Sequence, residues 1–249
     1  MGIKTQTGFT IIEVMLFLAI TGMLAAAILV GSGVAIGQQR YRDSVGSLQS
    51  YIQQQYNKAV NVTNDRNKEW TCDSNGTVSQ VENASAGEAR GTSDCVMLGR
   101  LVTIDTTGTN ITSAVVVGYR NPAGTVQASD IAEITTNYKL GVAPIDKDDT
   151  VVNWGAQVVK PKTSTPMPIS ILIIRSPLSG VTLTFTKEGM QTNPNSMIDA
   201  ANLSEQRDLC VNADAGSFVG KRMEVRIEPY ATSQSAVQVP AESDSVCDS

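Results

Sequence analysis

Between Phe9 and Gly37 lie 29 residues that carry a single charge, Glu13, and are otherwise mostly apolar. A helix apolar on every side is stable only in lipid or packed among other apolar helices, so this run constrains the chain more than any other feature. A secretory signal peptide has an apolar core of about 7–15 residues followed by small residues at its cleavage site. Ala25-Ala26-Ala27 meets the second condition, but the run is roughly twice too long for the first. About 20 apolar residues suffice to cross roughly 30 Å of hydrocarbon, so a plain membrane anchor fits by length. That explanation leaves Glu13 without a reason. A charge inside a spanning helix costs about 2.5–3.5 kcal/mol at the centre and less near an interface, so it reads as functional with a partner to be found. Nothing else in the run can neutralise it, and Lys4 lies outside. The plainer alternative is a carboxylate placed to favour the positive end of its own helix.

Gly8-Phe9-Thr10-Ile11-Ile12-Glu13-Val14, preceded by a short polar leader with Lys4, resembles the cleavage and assembly motif of type IV prepilins and type II secretion pseudopilins. The likeness covers roughly residues 1–60. It implies cleavage between Gly8 and Phe9 by a membrane-embedded aspartyl prepilin peptidase, with methylation of the new amine on Phe9. It also implies that Glu13 neutralises the N-terminal amine of a neighbouring subunit during assembly. An ion pair in low dielectric is strong when complete and costly when half-formed, so such a pair rewards one axial register. By the same resemblance the N-terminus faces the cytoplasm. Charge counting does not supply that orientation, since Lys4 precedes the run and Arg40 and Arg42 follow it.

Beyond Gly37 the pattern becomes one-sided. Val45, Leu48, Ile52, Tyr56 and Ala59 recur at three- or four-residue steps, while Gln39, Arg42, Gln49, Gln53 and Gln54 stay polar. A helix from Phe9 to about Ala59 would be roughly 75 Å long, with a protruding apolar half and an amphipathic half packed on a head. Gly33-x-x-x-Gly37 and the looser Gly22-x-x-x-Ala26 would let helices approach closely. The glycines of this stretch also weaken the helix, and local melting near Gly22 or Gly31–Gly37 is expected on assembly.

The rest of the chain is polar and rich in turn residues. Residues from about Asn61 to Asp94 read as a long connecting loop. Strand character is found at Cys95–Ile104, Ser113–Arg120, Glu133–Tyr138, Trp154–Val159, Ile169–Arg175, Val181–Lys187, Leu209–Asn212 and Arg222–Tyr230. Pro161–Pro168 reads as a loop and the tail from Ala231 as irregular. Cys72, Cys95, Cys210 and Cys247 all lie beyond the apolar run, an even number on the exported side that fits two disulfides. Three connectivities are open to four cysteines, and the near-neighbour pairing, Cys72 with Cys95 and Cys210 with Cys247, is the one adopted. A loop closed by Cys210 and Cys247 resembles the C-terminal disulfide loop of many pilins.

Chemistry is otherwise sparse. With no histidine, a Ser/His/Asp or Cys/His nucleophile cannot be built. No phosphate-binding Gly-rich loop or Cys-x-x-Cys occurs, and neither catalytic residues, metal site nor cofactor is expected. Asp146, Asp148 and Asp149 form an acidic cluster read as a solvated turn, with calcium binding as the alternative. Trp70 and Trp154 read as core or loop anchors, with exposed binding residues as the alternative. The formal charge of −5, from 19 basic and 24 acidic residues without a basic run, argues against nucleic acid.

The expected fold is α+β, a long N-terminal helix on an antiparallel β-sheet head. Its expected parts are a leader at 1–8, an apolar membrane and filament-core helix at 9–37, an amphipathic half at 38–60 and a β-rich head with disulfide loops at 61–249. The expected function is that of a structural filament subunit, a large or minor pilin. Its implied partners are copies of itself and sibling pilins, prepilin peptidase, the assembly platform and a cytoplasmic ATPase. The subunit would wait in the cytoplasmic membrane as a single-pass protein, head outside, and then join an extracellular filament. A pseudopilin of a secretion or DNA-uptake system shares that mechanism. A signal-anchored exported enzyme or binding module is the reading from another class.

Overall fold

The computed structural model describes residues 10–61, 70–80, 94–213 and 221–248. One helix, α1 (Ile11–Val60), runs unbroken for 50 residues. Thr10 caps it: its hydroxyl accepts the Glu13 amide at 3.3 Å, and its carbonyl takes the Val14 amide at 3.1 Å. No described residue before Tyr41 is buried, whereas Tyr41, Val45, Leu48, Ile52, Tyr56 and Ala59 are. The apolar stripe foreseen in the second half is thus the face that meets the head.

The head is antiparallel throughout and built in two main sheets. Strands β3 (Cys95–Ile104), β4 (Asn110–Arg120), β5 (Tyr138–Val151), β7 (Ile169–Arg175) and β8 (Thr182–Glu188) form one, in the order β5-β4-β3-β7-β8. Strands β6 (Gln157–Val159), β9 (Arg207–Asn212), β10 (Glu224–Ile227) and β11 (Val237–Gln238) form the other, in the order β11-β10-β9-β6. The helix lies against both. Its buried stripe shares one core with Val102, Ile104, Ile169, Ile171 and Ile173 of the larger sheet and Leu209, Val211, Val225 and Ile227 of the smaller. The opposite face of the larger sheet is covered too. Leu172, Ile174 and Phe185 pack there against Ile134 of α2 (Asp130–Asn137) and against Met197 and Ile198. Cover on both faces explains why Ile169–Ile174 is apolar at every position but Ser170 rather than alternating.

Four expectations need correction. Glu133–Tyr138, read as a strand from its Ile and Thr content, lies mostly in α2, which Ser129 caps by accepting the Ala132 amide at 3.3 Å. The capping serine and the acidic first turn outweigh β-branched propensity over so short a stretch. Within the segment read as a loop, β1 (Trp70–Cys72) and β2 (Val78–Gln80) pair as a hairpin. The Asp73 carboxylate organises its turn by accepting the Asn75 and Thr77 amides at 2.9 and 2.8 Å. The acidic cluster is part of β5, an edge strand, not a solvated turn. Between the pairs Ser113↔Asp148 and Val115↔Ala143 a bulge interrupts the register and takes up Pro144, Asp146 and Lys147, a device that blunts exposed edges. The tail holds β11, the outermost strand of the smaller sheet.

Candidate functional site

The exposed half of α1 is the most unusual surface on the molecule. An 18-residue window within it has a mean hydropathy of 2.5, and none of that window is buried. By length and composition it can cross a membrane. Its hydroxyls at Thr21 and Ser32 are satisfied by the helix's own backbone. The Thr21 hydroxyl donates to the Phe17 carbonyl at 2.8 Å, and the Ser32 hydroxyl to the Leu29 carbonyl at 3.0 Å, so neither needs water. Glu13 sits in the first turn, three residues after its capping threonine, and among the described residues its carboxylate has no cationic partner. A Cβ built on Gly22, Gly31 or Gly33 would touch nothing within 4 Å. The chain's own packing therefore gives no reason for these small residues. Gly22, Ala26, Gly33 and Gly37 all lie on this half, whereas Lys4, Gly8 and Phe9 fall outside the described residues.

A family model, the prokaryotic N-terminal methylation motif, matches residues 3–29. The chain carries the prepilin-type motif of type IV pilins and pseudopilins. No curated protein and no solved structure matches the chain significantly. The prepilin-type motif thus spans the start of α1, with Glu13 in its first turn and the small residues along its shaft. The family that bears the motif is structural rather than catalytic.

Where the apolar half ends, the head grips the helix by polar contacts as well as by its core. The Tyr41 hydroxyl donates to the Val211 carbonyl at 2.8 Å and accepts the Met223 amide at 2.6 Å. The Ser44 hydroxyl donates to the Asn153 carbonyl at 2.6 Å. Gln49 and Gln53 both donate to the Val237 carbonyl, at 3.1 and 3.0 Å. Higher up, Thr184 and Tyr56 share a buried hydrogen bond of 2.9 Å, and burial pushes the Tyr56 hydroxyl up to about 12.

Beside Asn153, Trp154 departs from the anchoring role first assigned to it. It is 54% exposed, and its ring lies 4.9 Å from the Arg40 guanidinium carbon. Its backbone is left-handed, with φ 58° and ψ 30°, and Gly155 follows at φ 67°. For a bulky residue this conformation costs of order 1–2 kcal/mol. The Asn-Trp-Gly triplet was the available signal, because turn residues on both sides of an aromatic point to a presented ring rather than a packed one.

Two disulfides fix the margins of the head. Cys72 bonds to Cys95, joining the hairpin to the first residue of β3, with Cα atoms 6.0 Å apart. Cys210 bonds to Cys247, tying the C-terminal segment to β9, with Cα atoms 5.6 Å apart. Beside the second bond the Glu224 carboxylate is wholly buried and accepts from Arg226 at 2.5 Å and from the Val246 amide at 2.9 Å. Cys210, Glu224 and Cys247 are grouped closely enough to suggest a metal site, but the disulfide occupies both sulfurs. The Asp146, Asp148 and Asp149 carboxylates are each engaged by a different cation, Arg100, Lys58 and Lys147, and do not converge. Calcium binding by these three gains no support from that arrangement.

Proposed function

We propose that this chain is a structural subunit of a type IV pilus-like filament, a large or minor pilin without catalysis of its own. The observation that carries the reading is the first half of α1, with Glu13 in its first turn inside the matched motif, otherwise apolar all round and covered by none of the described residues. Prepilin peptidase cuts between Gly8 and Phe9, and the new Phe9 amine is methylated. Residues 9–37 hold the subunit in the cytoplasmic membrane with the head outside, and then exchange lipid for a bundle of like helices. Gly22, Ala26, Gly33 and Gly37 allow the helices of that bundle to approach closely. The Glu13 carboxylate pairs with the Phe9 amine of a neighbouring subunit, which rewards correct axial register. Contacts related by a rotation that does not close generate an open helical polymer. Sibling pilins, an assembly platform and a cytoplasmic ATPase are the further partners.

The test is the mass and N-terminal sequence of the chain recovered from sheared filaments. Loss of residues 1–8, with or without one methyl group, supports the proposal, and an intact Met1 in a chain never found in a polymer refutes it. Glu13→Ala is expected to leave insertion and cleavage largely intact and to block incorporation, so normal incorporation would remove the ion-pair role. Gly8→Leu is expected to stop processing, read as the ratio of precursor to mature chain. Because pilins and pseudopilins share the motif, a pseudopilin is the second reading. Abundance in purified surface filaments separates the two.

A further inference from the structure

The apolar shaft and the head meet at a rim whose surface is unlike the rest of the head. From Ile11 to Ile36 the helix is about 39 Å long at 1.5 Å per residue, against roughly 30 Å of hydrocarbon. With Glu13 at one boundary, the other falls near Gly33, about 20 residues on. Arg40 then stands about 10 Å further out, where the roughly 5–8 Å headgroup layer ends and within a side chain's length of it. Tyr41, the first buried residue of the helix, marks where the head begins. The head residues at that level are Asn153, which accepts from Ser44, and Trp154, which stacks on Arg40.

Trp154 is an exposed aromatic held in a left-handed turn beside a cation, at the outer edge of the headgroup level where tryptophan is enriched in membrane proteins. Arg42 is exposed one residue past Tyr41, and Lys221 is exposed two residues before Met223, whose amide bonds Tyr41. Asp43 is the carboxylate on the same turn of helix, and it accepts from Gln39 at 3.2 Å. Among the described residues the balance of the rim is cationic, although the chain as a whole is acidic.

We infer that this rim is a lipid-binding surface. Trp154 enters the headgroup layer, Arg40 and Arg42 pair with the phosphates of anionic phospholipid, and the head is thereby seated on the membrane before assembly. The surface is continuous with the membrane-length helix, and its charge complements lipid phosphate. The inference rests on the membrane-anchored stage of the proposed function but requires neither cleavage nor a filament.

The full chain is reconstituted into phosphatidylcholine vesicles, with and without phosphatidylglycerol, that contain lipid bearing a nitroxide on its headgroup. The reading is the tryptophan emission of the wild type minus that of Trp154→Phe. Headgroup quenching present in the wild type and missing from Trp154→Phe is expected, and it should grow with phosphatidylglycerol. Arg40→Gln and Arg42→Gln should each weaken the phosphatidylglycerol preference by about fivefold. Resistance to carbonate extraction shows that the helix is inserted in every variant. If Trp154→Phe fails to fold, Trp70→Phe leaves Trp154 as the only tryptophan and gives the reading directly. Equal quenching of wild type and Trp154→Phe in carbonate-resistant vesicles would overturn the inference. So would a Trp154 signal that appears only on polymerisation, which assigns the rim to a second subunit. Quenching of Trp154 in vesicles, together with a cellular chain that keeps Met1 and never enters a polymer, would remove the filament reading and leave this surface standing.

Discussion

Gln55 is wholly buried on α1, and neither polar atom of its amide has a hydrogen-bond partner among the described residues. One turn earlier, the Tyr51 hydroxyl is also buried without a bond of normal geometry among the described residues, although Ser113 lies beside it and burial raises its pKa. Arg100 is 2% exposed, pairs with Asp146 and donates to Ser113 at 2.9 Å, yet its Nε has no partner among the described residues. Gln55→Met removes unpaired polar atoms at similar volume. It is expected to be neutral or stabilising by about 1–2 kcal/mol in urea denaturation. Asp146 and Asp149 look alike in sequence but differ in what depends on them. Asp146→Asn leaves a buried guanidinium without its counter-ion and is expected to cost about 2–3 kcal/mol. Asp149→Asn, whose partner Lys147 is exposed, should stay within about 0.5 kcal/mol. The sequence shows an acidic cluster and nothing of this difference, because it depends on a side chain 46 residues away, two strands over in the sheet.

The elements with strong periodicity were legible and those without it were not. The stripe from Val45 to Ala59 stands as read because burial recurs at helical steps, and the runs Cys95–Ile104 and Ile169–Arg175 stand because long apolar stretches mark strands buried along most of their length. Strand β5 was missed because Gly141, Pro144 and three aspartates break its pattern, and an edge position is what tolerates them. The hairpin β1–β2 was missed because three-residue strands carry no period. It also presses close to β5, since a Cβ on Gly141 would sit 1.9 Å from the Gly76 carbonyl oxygen. Ile52 has no exposed surface between helix and sheets, so Ile52→Ala is expected to cost about 3–4 kcal/mol in the same assay. Replacing Cys210 and Cys247 together by serine opens a loop of 37 residues and is expected to cost about 3–4 kcal/mol by chain entropy. Reduction of the wild type should lower its melting temperature in the same direction.

At the scale of the whole chain, the absence of histidine and the oxidised state of all four cysteines predict how stability follows pH. Several carboxyls titrate low in the fold. Desolvation alone would raise Asp105, but hydrogen bonds from Asn110, Thr107 and Thr109 outweigh it and hold it at about 2. The Ser176 hydroxyl lowers Asp130, and the Lys160 ammonium lowers Glu188. Folded values below the ordinary ones mean stability that is complete above about pH 5 and lost as pH falls towards 2. Tyr56 has the opposite sign: raised from 10.0 to about 12, it contributes fully below pH 10 and is lost as pH climbs through 12. The melting temperature should therefore be flat from about pH 5.5 to about 9 and fall on both sides. A transition near pH 6.5 would contradict this. The helix that joins shaft to head has one mechanical consequence. Since α1 is unbroken from Ile11 to Val60 and is clamped by Tyr41, Ser44, Gln49 and Gln53, torque applied to either end is transmitted to the other. In the proposed filament the packing of the apolar rod would thereby set the azimuth at which the head faces outward, and a single inserted residue near Gly37 would swing the head by about 100°.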